Sequence, residues 1–132
     1  MIYGIGHDVL EIKRVDDILN GRTGQAFMRR VLTSQEFQLA QGRGLKKVEF
    51  TAGRFAAKEA IVKAFGCGIG AIINFGDIEI LPDPLGKPKV ELSKVAWERL
   101  NLPAQPMEYT IHLSITHQRE LASAFAVIER VT

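Results

Sequence analysis

The sequence lacks most of the features that mark secreted, membrane-spanning or nucleic-acid-binding proteins. Its single cysteine, Cys67, excludes an internal disulfide framework and a cysteine-rich zinc site, and it suits a reducing compartment. No run of residues approaches the ~18 apolar positions of a membrane span, and the N-terminus lacks the basic start and apolar region of a signal peptide. A net charge of +2 is too small to indicate nucleic acid as a partner. We therefore expect a cytoplasmic protein that binds neither nucleic acid nor a membrane.

The composition is that of one folded domain. Hydrophobic residues make up 46% and charged residues 24% of the 132 positions, which is an ordinary balance for a globular protein. The sequence has no repeat, no low-complexity tract and no obvious linker, so we predict one domain over residues 1–132.

The pattern of apolar residues predicts an α+β fold with an antiparallel sheet packed on one long central helix. Strands are predicted in MIYGIGHDVLEI, DIEIL, KVEL, YTIHLSITH and LASAFAVIER. Helices are predicted from Ile12 to Asn20, at AFMRRVL, from the Thr33–Glu36 capping box to Gly42 or Gly44, from about 49–51 to Gly66 or Gly68, and in SKVAWERL. In the first strand Asp8 shares its side with Gly4, Gly6 and Leu10, and we expect the glycines to leave open space beside the carboxylate.

The central helix, FAAKEAIVKAFG, is apolar almost all round, yet it carries Lys58, Glu59 and Lys63. Glu59 and Lys63 are one turn apart and share a side with Phe55. The simplest interpretation is an exposed i,i+4 ion pair worth about 0.2–0.5 kcal/mol. The apolar neighbours argue against it, because a half-buried carboxylate needs a cation or several donors.

Asp8 poses the same question on the first strand. Taken alone, it is a cap that accepts backbone N–H bonds at a strand end. Taken with Glu59, it indicates a shared ion if strand and helix are adjacent. Two carboxylates suit Mg²⁺, which keeps its waters and takes substrate phosphate oxygens as further ligands. The three histidines lack the spacing of a zinc site.

His117 ends the strand IHLSITH on the side opposite His112. It is either a histidine with local partners or a contact for a phosphate or hydroxyl group. No nucleophile elbow, Walker loop or dinucleotide-binding fingerprint is present. The residues by themselves therefore indicate an α+β domain whose acids suit a magnesium-phosphate site, and no more.

Three segments resemble one family. GIGHDVLEIKR, GRFAAKEAIVKAFG and LSITHQRELASAFAVIE, in this order and spacing, are similar to the signatures of the short bacterial 4'-phosphopantetheinyl transferases, the holo-acyl-carrier-protein synthases, and DIEIL…GKP between them also resembles the family. The resemblance spans essentially the whole chain. It implies transfer of the 4'-phosphopantetheine group of coenzyme A to a serine of apo acyl carrier protein in fatty-acid biosynthesis, with release of adenosine 3',5'-bisphosphate.

The resemblance also implies roles for individual residues. Asp8 and Glu59 would hold Mg²⁺ at the coenzyme A diphosphate, and Lys63 would contact the transferred phosphate or the bridging oxygen. His117 would contact a coenzyme A phosphate, while Gly86, Lys87 and Pro88 would lie beside the adenosine half. Lys58 receives no clear role. No residue is an obvious base for the serine proton, and we expect a water held by the metal or by the carboxylates near Asp8 or Glu59 to take it.

The family docks its acidic carrier protein on a basic first helix. Residues 1–55 hold nine lysines and arginines against six acids. Arg14 and Arg22 match the family's docking positions. The stretch TGQAFMRR is shifted by an insertion, which leaves the match of Arg29 and Arg30 open. The family also assembles as homotrimers with the coenzyme A site between subunits, and the apolar faces of the first strand are compatible with burial there.

Two other functions fit the same residues. One is a hydrolase that cleaves a nucleoside diphosphate bond with water and uses no protein acceptor. The other is a non-catalytic module that binds coenzyme A or a carrier protein. Product analysis separates the hydrolase from the transferase, and substitution of Asp8 or Glu59 separates an enzyme from a binding module.

Overall fold

The computed structural model describes residues 1–131 of the chain, so Thr132, the last residue of the predicted domain, lies outside the described residues. The helices are α1 (Ile12–Leu19), α2 (Gly24–Val31), α3 (Ser34–Gln41), α4 (Lys47–Phe65) and α5 (Lys94–Leu100). The strands are β1 (Ile2–Glu11), β2 (Ile78–Pro82), β3 (Pro88–Leu92), β4 (Tyr109–His117) and β5 (Leu121–Arg130). Short 3₁₀ turns cover Gly44–Lys46, Phe75–Asp77 and Pro106–Glu108.

The five strands form two antiparallel sheets. The larger has the order β1-β5-β4, and the smaller is the β2-β3 hairpin. Asp8 on β1 lies opposite Ala124 of β5, and His117 on β4 lies opposite Ala122. Helix α4 packs across all three strands of the larger sheet. The predicted fold class, an antiparallel sheet on one long central helix, is confirmed.

Small residues bring α4 close to the sheet. Alanines on both elements are buried in one core, among them Ala60 and Ala64 of the helix. A Cβ atom on Gly6 would lie 1.8 Å from the carbonyl oxygen of Ala60, and one on Gly4 would lie 1.8 Å from that of Ala64. The expectation that these glycines leave open space is therefore wrong, because the backbone of α4 fills that space.

The ends of the helices follow local chemistry. Both hydrogen bonds of the Thr33–Glu36 capping box are present at α3. Helix α4 begins at Lys47, about two residues before the predicted start, because a 3₁₀ turn leads directly into it. It ends at Phe65 and is followed by the C-cap residue Gly66, whose φ of +84° is the left-handed conformation that glycine adopts readily. Among residues 1–131 no helix is long and apolar enough to cross a membrane.

Candidate functional site

The close contact of β1 with α4 brings Asp8 to the side of the helix that carries Lys63. The ammonium nitrogen of Lys63 lies 3.0 Å from Asp8 Oδ1 and 3.1 Å from the carbonyl oxygen of His7. The Asp8 side chain is 17% exposed and the Lys63 side chain 52% exposed. A lysine ammonium has three N–H donors. With two of them used, Lys63 keeps one donor for a ligand at this partly open position.

Glu59 belongs to the same group of charges. Its carboxyl is half-buried, and burial raises its pKa, with the Asp8 charge adding to the rise and the Lys63 charge opposing it. The structure therefore brings together Asp8, Glu59 and Lys63, from positions far apart in the sequence. We call these three residues the acidic site. With both acids ionised, two negative charges face one positive charge.

The acidic site fits a hard divalent cation. No group of three or more His, Cys, Asp or Glu side chains that could hold a metal occurs in the part of the chain that the structure describes. Two carboxylates therefore have to share the metal with water and with a ligand, which is the way proteins usually bind Mg²⁺. The excess negative charge and the oxygen donors both suit that ion.

A second site, the basic cavity, lies between the start of α4, the β2-β3 hairpin and the end of β4. Its volume is about 320 Å³. It is lined by Gly86, Pro88 and His117, three of the residues assigned above to coenzyme A, and by Arg43, Lys46 and Arg54. The Nδ1 atom of His117 lies 3.8 Å from the carboxylate of Glu49.

The basic cavity holds cations that sequence reasoning missed. The guanidinium groups of Arg43 and Arg54 lie 5.0 and 4.4 Å from the centre of the Phe50 ring. Arg54 donates a 3.2 Å hydrogen bond from Nε to the Ile80 carbonyl. Burial lowers the pKa of Arg54, an effect that Glu36 opposes and Arg43 increases. A cationic wall of this kind attracts anions such as phosphate groups.

The sequence contains only part of the information needed to place these two arginines in the basic cavity. Arg54 lies in GRFAAKEAIVKAFG, one of the three segments that resemble the family, but the resemblance implies no role for it. Arg43 lies between two glycines in a short segment, which gave no reason to place it near Arg54. Only the folded chain shows that both meet one ring.

Lys87 does not line the basic cavity. It lines a different cavity, of about 560 Å³, between β3 and β4, together with Tyr109 and His112. Pro88 lines both cavities. Within one chain the residues of the GKP stretch therefore face two different cavities.

The acidic site and the basic cavity lie at different levels of α4. His117 neighbours Glu49, near the start of the helix, whereas Glu59 and Lys63 are ten and fourteen residues further on. At a rise of 1.5 Å per residue, these distances along the axis are about 15 and 21 Å.

The candidate docking arginines are on the surface. Arg14 on α1 and Arg22 just after it are both exposed. Arg29 and Arg30 on α2 lie 4.5 and 5.7 Å from the ring centres of Phe37 and Phe75, respectively.

The face of the larger sheet that points away from α4 carries exposed apolar residues. Ile5 is 58%, Val9 53% and Phe125 45% exposed, and the His7 ring lies 5.9 Å from that of Phe125. We call this surface the outer sheet face. Large apolar residues in one place on a surface are typical of interaction sites.

Lys58, the third charge of the central helix, faces neither site. It is fully buried and forms an ion pair of 2.6 Å with the buried carboxylate of Glu36.

Comparisons with known proteins agree with one another. The model of the 4'-phosphopantetheinyl transferase superfamily matches residues 4–125. A holo-[acyl-carrier-protein] synthase of Magnetococcus marinus is 44% identical over 132 residues, which cover 98% of this chain and 94% of that protein. The crystal structure of the holo-[acyl-carrier-protein] synthase of Neisseria meningitidis is similar with a TM-score of 0.85 and 38% identity, covering 98% of this chain and 100% of that one. That of a holo-(acyl-carrier-protein) synthase of Bacillus anthracis in complex with CoA (3',5'-ADP) has a TM-score of 0.81 and 41% identity, covering 100% and 99%.

Proposed function

Because this chain belongs to the 4'-phosphopantetheinyl transferase superfamily, we infer that it transfers the 4'-phosphopantetheine group of coenzyme A to a serine of apo acyl carrier protein, in fatty-acid biosynthesis. The serine oxygen forms a bond to the phosphorus that bears the pantetheine. The bond from that phosphorus to the bridging oxygen breaks, and adenosine 3',5'-bisphosphate leaves. The serine proton passes to a base. One observation carries this function: near-full-length similarity to synthases of this name, one of them in complex with CoA (3',5'-ADP).

The acidic site is proposed as the place of transfer. Asp8 and Glu59 would hold Mg²⁺, which neutralises charge on the diphosphate when it is bound. The spare donor of Lys63 supports a contact to the transferred phosphate or the bridging oxygen. Together these groups would keep the diphosphate oriented toward the serine.

The serine proton needs an acceptor, and the carboxylates of Asp8 and Glu59 can hold a water beside the diphosphate. We propose that a water held by Glu59 or Asp8 accepts the proton.

The basic cavity is proposed to bind the adenosine half of coenzyme A. The arginines supply cations for its phosphates and His117 supplies a ring nitrogen for a hydrogen bond, while Gly86 and Pro88 supply a wall without long side chains. Lys87, which lines a separate cavity in one chain, would reach coenzyme A only from another direction.

A homotrimer would bring together the acidic site and the basic cavity, which are far apart along α4 within one chain. We propose that coenzyme A lies between two chains, with the acidic site of one chain next to the basic cavity of its neighbour. The separation of the two sites along α4 supports this proposal, and so do the exposed apolar residues of the outer sheet face.

The carrier protein is proposed to dock on α1. Arg14 and Arg22 are exposed cations on that side, and an acidic partner would pair with them. We further propose that the protein works in the cytoplasm, because its one cysteine is a free thiol.

The decisive experiment incubates the protein with apo acyl carrier protein, coenzyme A and Mg²⁺ and measures the intact mass of the carrier. We expect the carrier to gain one phosphopantetheine, and we expect EDTA to prevent the gain. Asp8→Asn and Glu59→Gln should each abolish it, whereas Lys94→Ala, at an exposed position of α5, should not. An unmodified carrier, with coenzyme A cleaved, would indicate the hydrolase; an unmodified carrier with intact coenzyme A would indicate a binding module.

A further inference from the structure

Lys58 is buried with every donor of its ammonium group satisfied. Its side chain is fully buried, and Nζ donates to Val31 O at 2.7 Å, Glu36 Oε1 at 2.6 Å and Phe75 O at 3.0 Å. Three acceptors for three N–H donors leave none free for a ligand. Lys58 therefore does not bind a substrate in this arrangement.

The acceptors connect α4 to several other segments. Val31 ends α2, Glu36 lies in α3, and Phe75 begins a 3₁₀ turn. The Glu36 carboxylate also accepts hydrogen bonds from two backbone N–H groups, those of Thr33 at 2.8 Å and Ile80 at 2.8 Å. The Lys58 ammonium thus holds α4 against a layer made of α2, α3 and β2.

This contact fixes α4 from the side opposite to the sheet. Lys58 and Ala60 are two residues apart, about 200° round the helix, and Ala60 contacts β1 at Gly6. Glu59 lies between them, about 100° from each. The direction in which Glu59 projects is therefore set by the contacts on its two sides.

Stability alone does not explain a charged pair here. Removing an ammonium and a carboxylate from water is costly, and replacement of a buried ion pair by apolar residues of similar volume is often neutral or stabilising. Burial lowers the pKa of Lys58, which the Glu36 carboxylate opposes. Hydrogen bonds differ from apolar contacts in being directional, so the pair fixes an orientation that apolar packing would define less sharply.

We propose that Lys58 is a positioning residue for the transfer reaction. Its three hydrogen bonds set the rotation of α4, and this rotation turns Glu59 and Lys63 toward Asp8. The inference rests on the proposed function of the acidic site. Lys58 acts through position, because all three of its N–H donors are used within the protein.

The test removes both charges of the pair together, in the double variant Glu36→Gln/Lys58→Met, so that neither is left buried without the other. Arg54, whose Nε lies 3.9 Å from Glu36 Oε2, keeps its hydrogen bond to the Ile80 carbonyl. We expect the double variant to fold with a Tm below that of the parent, because the glutamine amide can accept from only one of the two backbone N–H groups that the Glu36 carboxylate serves. Its kcat should fall about ten- to a hundredfold, because small displacements of catalytic groups have large effects on rate. Its KM for the carrier protein should stay within about twofold, because the carrier docks on α1.

A direct readout is Mn²⁺ binding, measured by electron paramagnetic resonance in the absence of coenzyme A. We expect the dissociation constant of the double variant to rise about tenfold, since Glu59 would no longer be held toward Asp8. A smaller folded fraction would reduce the number of Mn²⁺ sites without changing their affinity. Lys94→Met, at an exposed position of α5, is the matched control and should leave both kcat and Mn²⁺ affinity unchanged.

A folded double variant with the kcat and Mn²⁺ affinity of the parent would overturn the proposal. If the double variant does not fold, Glu36→Gln alone serves the same purpose, because it keeps the two carbonyl acceptors of Lys58. We then expect kcat and Mn²⁺ affinity both to fall, and unchanged values would refute the positioning role. Failure of the proposed function would be seen separately, as a parent protein that leaves apo carrier unmodified.

Discussion

Glu59 carries a carboxyl group that the fold keeps partly out of water beside a second acid. Its folded-state pKa lies above the ordinary value of 4.5. Protonation of the Glu59 carboxyl therefore stabilises the folded protein relative to the unfolded chain. This contribution to stability is fully present below about pH 4.5 and is lost as pH rises through the folded-state pKa. At pH values above the folded-state pKa, the metal-free protein carries the full cost of keeping Glu59 ionised.

We expect Glu59→Gln to remove the destabilisation that the ionised Glu59 carboxylate causes. In EDTA the variant should be more stable than the parent at neutral pH, and its free energy of unfolding should vary less with pH. Urea titrations between about pH 4 and pH 8 measure both effects. Added Mg²⁺ should stabilise the parent and not the variant. If the free energy of unfolding of the variant varied with pH as that of the parent does, the pKa of Glu59 would not be raised by folding.

A substitution at His117 tests the proposed role of the basic cavity at the level of a single residue. We expect His117→Ala to raise the KM for coenzyme A about tenfold with little change in kcat, because the adenosine half is bound equally in the ground and transition states. Steady-state kinetics with varied coenzyme A measure the effect. Gln118→Ala, at the neighbouring exposed position, is the control and should change neither constant. A large fall in kcat for His117→Ala would instead place this residue at the reacting atoms.

The partners of single residues differ in how well the sequence alone predicts them. The capping box of Thr33 and Glu36 could be predicted because its partners are three residues apart. The partner of Lys58 could not, because the Glu36 carboxylate is 22 positions away in the chain and only folding brings the two together. Asp8 and Glu59 were paired in the prediction through their chemistry and through family resemblance.

At the scale of elements, the contact between β1 and α4 determines the geometry of the acidic site. We expect Gly6→Ala to disturb it, since the new Cβ would lie 1.8 Å from the carbonyl oxygen of Ala60. The helix would have to shift, at a cost of roughly 1–3 kcal/mol in the free energy of unfolding, and kcat would fall with it. Denaturant titration and the transfer assay measure the two effects.

Gly68→Ala is the matched control for Gly6→Ala. A Cβ on Gly68 meets no heavy atom within 4 Å, so the free energy of unfolding should change by less than about 0.5 kcal/mol. Equal stability of the two variants would contradict the close approach of helix and strand.

The elements themselves could be predicted well, because periodicity and caps are local signals. Within residues 1–131, the five helices and five strands lie where the sequence indicates them, with shifts of a few residues at some ends. The sequence showed which side of β1 Asp8 and the glycines share, but not what packs on that side. The space expected beside Gly4 and Gly6 is occupied by α4 for this reason.

For the whole molecule, the outer sheet face is the surface that distinguishes a monomer from the proposed trimer. We expect Phe125→Asp to prevent assembly, because it places a charge among exposed apolar residues that another chain would cover. Light scattering should then show a monomer, and the transfer assay should show loss of activity. Val95→Asp, an exposed apolar position on α5, should remain assembled and active. A fully active monomer would exclude a site shared between chains.

The distance between the acidic site and the basic cavity along α4 has a consequence for mixtures of defective chains. In a ring of three, an Asp8→Asn chain still offers a sound cavity, and a His117→Ala chain still offers sound carboxylates. Every mixed ring then contains one junction where two undamaged halves meet. Random 1:1 assembly should therefore restore about a quarter of the normal sites, visible at low coenzyme A as more activity than either pure ring shows.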